Sequence, residues 1–149
     1  MNLSKSSFLA LAAIGWVDGS LQRVEAVGLL RAARAAGLSE GDVAEVEKAT
    51  KERITLEGID LGALSEWDRV LTYALGAWFA TVDGVVSTSE ATMLGALGDA
   101  LGLADGIRKR AATAANDVAC LPEGGRPEKY DFDKLVARLR ERMPQYAKA

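Results

Sequence analysis

Apolar residues recur along this chain at intervals of three and four. Phe8, Leu11, Ala12 and Gly15 or Trp16 form one such series, and Val24, Val27, Leu30 and Ala33 a second. That period lines up one face of an α-helix, and no stretch shows the alternation of a half-exposed strand. Alanine and leucine, both strong helix formers, dominate. Helix starts are marked by serines followed three residues later by an acid: Ser39 and Asp42, Ser65 and Asp68, Ser87 and Glu90. In this pattern the serine oxygen accepts a hydrogen bond from an otherwise unpaired N–H of the first turn, and the acid reaches back. The pattern predicts helices over 4–17, 22–36, 40–53, 66–82, 88–101, 105–120 and 132–143. The stretch 55–64 reads as a connector, and "LPEGGRPEKYD" at 121–131, with two of the three prolines and a Gly-Gly, as a loop.

Within this series one constellation is written twice. "VDGSLQRVEAVGLLRAARAAGL" at 17–38 aligns without a gap on "VDGVVSTSEATMLGALGDALGL" at 82–103. The identities are Val17/Val82, Asp18/Asp83, Gly19/Gly84, Glu25/Glu90, Ala26/Ala91, Leu29/Leu94, Ala35/Ala100, Gly37/Gly102 and Leu38/Leu103, and apolar Leu21 meets Val86. Shared helical composition does not produce such a match. The expected fold is therefore all-α: a single domain, 1–149, of about seven helices. It is built from two pseudo-symmetric helical-hairpin repeats at about 4–38 and 66–103, with C-terminal helices over 105–143.

Two readings of the repeat are open. In the mechanical one, Gly19 and Gly84 take the backbone angle that ends a helix, Asp18 and Asp83 are turn residues, and Glu25 and Glu90 complement the positive end of the next helix. In the other, the four acids Asp18, Glu25, Asp83 and Glu90 ligate a metal. Glycine, an apolar residue two later and glutamate six later keep the spacing of the second half of a calcium-binding EF-hand loop. The first half is missing, since the first and third ligand positions fall on Ile14 and Trp16, or Phe79 and Thr81, which supply no carboxylate. A complete EF-hand is excluded.

An Ala-rich helix entering "DG", an apolar residue two later, then Glu opening a helix that ends in "GL", all in two copies, resembles the tellurite-resistance TerB-like family. The resemblance covers about 8–38 and 73–103. It implies a bacterial, cytoplasmic, all-helical stress-response protein; apart from the resemblance, no enzyme is expected, since four acids at helix starts have a simpler explanation than catalysis across a substrate cleft. Such domains stand alone or are attached to J-domain co-chaperones, and their shared acids are proposed to bind divalent metal. Carried onto this chain, those acids are Asp18, Glu25, Asp83 and Glu90, with Ca, Mg or Mn as the candidate cofactor. The first copy departs from the family pattern at Gln22-Arg23-Val24. The alternative is a metal-independent helical module that docks protein partners, of co-chaperone or scaffold type.

Composition narrows the remaining choices. With 149 residues, 49% of them hydrophobic and 26% charged, the chain can bury a core of its own. A net charge of −3 gives no overall reason to expect nucleic acid, and the basic runs at 108–110 and 138–142 read as solvated helix faces. There is no histidine, which removes imidazole catalysis and most zinc sites. The single cysteine, Cys120, reads as a structural thiol, and its isolation fits a reducing compartment. Lys5 and "FLALAAIGWV" imitate a signal peptide. That run is far shorter than the roughly 20 residues a bilayer span needs, so it is expected to be a buried helix of a cytoplasmic protein with no transmembrane segment. Trp16, Trp67 and Trp78 are expected in the core rather than on a ligand platform.

Overall fold

The computed structural model of the chain describes residues 5–16, 23–52, 54, 59, 64–81, 88–119 and 132–143. These form seven helices: α1 (Lys5–Gly15), α2 (Arg23–Ala35), α3 (Glu40–Lys51), α4 (Glu66–Thr81), α5 (Thr88–Leu101), α6 (Asp105–Ala119) and α7 (Phe132–Arg142). Among the described residues there is no strand. Each helix falls within two residues of its expected limits. Gly19, Gly84, Cys120 and the loop over 121–131 lie outside the described residues.

The helix ends explain that agreement. Ser39 and Ser65 each accept a hydrogen bond from the backbone N–H three residues on, Asp42 and Asp68, at 3.2 Å. In α3 the first turn carries Glu40 and Asp42 and the last turn Lys48 and Lys51, so both ends of the helix dipole face opposite charge. α2 and α5 end alike. Gly37 and Gly102 have φ of 88° and 69°. Leu38 N–H bonds to the Ala33 carbonyl at 3.3 Å and Leu103 N–H to Gly98 at 3.0 Å, while the two glycine N–H groups reach Arg34 and Asp99 at 3.1 Å. These are Schellman turns, which need a left-handed residue where glycine pays no steric penalty.

α4 is the central helix, packed against α6, α5, α1 and α7. Every residue from Val70 to Trp78 is buried, as a helix apolar on all sides requires. α1 is nearly as enclosed: Ser7, Phe8 and Ala10 to Ala13 are buried, so the run that imitates a signal peptide is core. Trp67 and Trp78 are buried as expected, while Trp16 is half-buried and its indole N–H donates to the Ala49 carbonyl at 2.7 Å, tying the end of α1 to α3. α7 buries Leu135, Val136 and Leu139, and Met143 just past its end is buried too.

The buried face of α2 keeps Ala33 of the expected series but is otherwise turned from it. Val27 is 42% exposed and Leu30 only partly covered, whereas Gly28, Leu29, Ala32, Ala33 and Ala36 point inward. The face that points inward is the one turned to α1, α3 and α7, the helices α2 packs on.

α1 and α4 meet at residues separated by the repeat interval. The Ser7 and Thr72 hydroxyls, 65 positions apart and fully buried, are hydrogen-bonded at 2.9 Å. Thr72 also donates to the Asp68 carbonyl at 2.6 Å. With only one hydroxyl proton, Thr72 must then accept from Ser7. One turn on, a methyl of Leu11 lies 3.4 Å from where a side chain on Gly76 would begin. Because the two contacts follow the same order along both helices, α1 and α4 pass each other in the same sense, and their C-terminal ends point to the same side.

Candidate functional site

In the sequence an Asp-Gly pair follows each of those C-terminal ends. Asp18 and Asp83 lie outside the described residues. Glu25 and Glu90 are each the third residue of their helix, α2 and α5, with the backbone described and the side chains not. Third positions lie in the first turn, at the positive end of the helix dipole. α2 and α5 both pack on α1. Among the described residues, no group of three or more acids or cysteines is placed to hold a metal ion. No helix among them is long and apolar enough to cross a membrane.

Two polar clusters were missed in the sequence. In the first, Arg108 of α6 reaches back over α5: its Nε donates to the Leu103 carbonyl at 2.8 Å and its Nη2 to Asp99 at 2.8 Å. The guanidinium lies 2.6 Å from where a side chain on Gly98 would begin, so any larger residue at 98 would displace the Arg108 side chain. Nearby Tyr73 is pushed above its ordinary phenol value by burial, with Arg108 pulling it down and Asp105 pushing it up. In the second, Asp117 of α6 accepts from Arg138 at 2.8 Å and Arg142 at 2.7 Å of α7, and Arg138 also pairs with Glu141 at 2.8 Å. Asp117 is accordingly held below the usual carboxylate range, first by the Arg138 hydrogen bond and, against some desolvation, by Arg142. The two basic runs are thus only partly solvated faces. Arg108 and Arg138 are pinned, and Arg140 stands 5.9 Å over the ring of buried Trp67.

Elsewhere charge stabilises local structure. Lys5 pairs with Glu45 across α1 and α3 and is held above the ordinary lysine value by it. Asp68 is shifted upward by burial, against the lowering effect of the Ser65 hydroxyl. The helix starts carry the 65-residue interval on to α3 and α6 and so set Val43 against Arg108, an apolar position against a cation. No family model, curated protein or solved structure matches the chain.

Proposed function

We propose that this chain is a non-enzymatic, TerB-like stress-response protein of the bacterial cytoplasm, with Asp18, Glu25, Asp83 and Glu90 forming one acidic site for a divalent cation. The observation that supports this reading is the same-sense passage of α1 and α4, two helices each followed in the sequence by an Asp-Gly pair. Carboxylate oxygens suit Ca, Mg or Mn, and gathering four like charges is costly without a cation among them. Calorimetric titration with each cation tests it, alongside melting of wild type and Glu90→Gln in chelator and in millimolar cation. Wild type should gain stability from the cation by mass action on the native state, and the variant should lose most of that gain.

A second reading, a metal-independent protein-docking module, draws support from the serine caps. Ser39 and Ser65 cap helices that carry an acid three residues on, and Ser87 with Glu90 repeats that pattern. Glutamine serves such a cap nearly as well as glutamate. Equal melting in chelator and cation for wild type selects this reading and ends the first.

A further inference from the structure

We propose that the outer face of α2, formed by Val27 and Leu30 with Arg31 and Arg34 beside them, docks an acidic amphipathic helix of a partner protein. This assignment rests on the docking-module reading and gives it a place and a partner chemistry.

The two repeats distribute their apolar bulk differently. In α5, Leu97 and Leu101 are buried, and Thr92 on the outside is polar and exposed. α2 keeps Leu29 inward but has only Ala32 and Ala36 where α5 has Leu97 and Leu101, and on the outside it has Val27 and Leu30 where α5 has Thr92 and Gly95. Val27, 42% exposed, is the one exposed large apolar side chain among the described residues, and Leu30, one turn on, is only partly covered. A scattered surface valine is ordinary. Here the second repeat supplies the comparison, and against it α2 carries its branched side chains on the face that its own fold leaves uncovered.

Charge says what covers that face. Arg31 follows Val27 by four residues and Arg34 by seven, a spacing that puts all three along one side of a helix, and both arginines are exposed. Residues 26–38 contain no acid, in a chain whose net charge is −3. The counterpart of Arg34 is Asp99, so the strip has changed sign between the repeats. The helix dipole accounts for a cation in the last turn, where Arg34 lies, and not for Arg31 before it. An apolar strip beside cations fits a helix whose own apolar stripe is bordered by carboxylates. Two copies meeting symmetrically through α2 would bring arginines together, which favours a different chain as the occupant.

Calorimetric titration of the full chain tests this with a stapled helical peptide that carries leucines on one side and glutamates beside them, and with the same peptide bearing lysines for glutamates. Wild type should bind the glutamate peptide at least about tenfold more tightly than the lysine peptide, and more weakly as salt is added. Val27→Ser should weaken binding of the glutamate peptide about fivefold. Arg34→Glu should weaken it about tenfold and narrow the preference between the two peptides. Thr92→Asp, at the counterpart of Val27 on α5, should leave binding unchanged. All three variants alter exposed side chains and should keep the helical circular dichroism of wild type. Failure of wild type to bind the glutamate peptide, equal binding of both peptides, or full affinity in Val27→Ser overturns the proposal. Loss in Thr92→Asp with full affinity in Val27→Ser overturns it too, while leaving docking itself in place on another helix. A wild-type dimer in sedimentation that Val27→Ser dissociates would give the face to a second copy and also overturns it. The docking-module reading is decided separately, by melting in chelator and in cation.

Discussion

Ser7 and Thr72 each bring a hydroxyl into a contact between two otherwise apolar helix faces, and both are completely buried. A buried hydroxyl is tolerated when paired and costs about 1–3 kcal/mol when its partner is removed. Thr72 holds two partners, Ser7 and the Asp68 carbonyl, so the two single changes should be unequal. Thr72→Val strips both bonds and should cost about 1–3 kcal/mol. Ser7→Ala leaves Thr72 still donating to Asp68 and should cost less. The double variant should recover part of the Thr72→Val loss, because no orphaned serine hydroxyl remains. Urea denaturation of the four proteins measures the coupling; additivity within about 0.3–0.5 kcal/mol would mean the hydroxyl pair contributes nothing of its own.

Helix limits were legible because they are written locally, in Ser39, Ser65, Gly37 and Gly102, whose roles depend on neighbours within five residues. The inward face of α2 was legible only at Ala33, because Leu29 and Ala32 face inward by virtue of the helices they meet. The same limit hid the α6–α7 clasp, where Asp117 and Arg138 are 21 residues apart and brought together by packing. That clasp has a pH signature. Asp117 is depressed in the folded protein by Arg138 and Arg142, so it binds protons more weakly folded than unfolded. Its contribution is present above the ordinary carboxylate pKa of about 3.9 and is lost as pH falls through the lower folded value. Asp117→Asn should therefore be less stable than wild type by a constant margin near neutrality. That margin should close below about pH 4. Urea melts across pH 3–7 check this, and a margin that widens in acid would refute the assignment. Asp68 has the opposite sign: burial raises it, so its contribution favours folding in acid and fades as pH rises through the folded value.

Taken whole, the chain buries one core to which all seven helices contribute, yet its order follows an interval of 65 residues. That interval reaches one helix beyond the repeat visible in the sequence: α2 and α5 start at Arg23 and Thr88, α3 and α6 at Glu40 and Asp105. The proposed acidic site rests on spacing alone, since whether Asp18, Glu25, Asp83 and Glu90 converge depends on how two halves are set against each other, which no interval along one chain encodes. A two-fold relation between the halves makes a demand that can be examined. Its axis must pass where counterparts touch, and Ser7 with Thr72 and Leu11 with Gly76 are such places. A crystal structure should then superpose 5–15, 23–35 and 40–51 on 70–80, 88–100 and 105–116 by one rotation close to 180° about a line between α1 and α4. The largest departure should fall at the third helices, where Val43 packs directly and Arg108 reaches across Gly98. Halves that superpose only helix by helix, with unlike crossing angles between α1 and α2 and between α4 and α5, would show that the repeated sequence serves local turn chemistry alone.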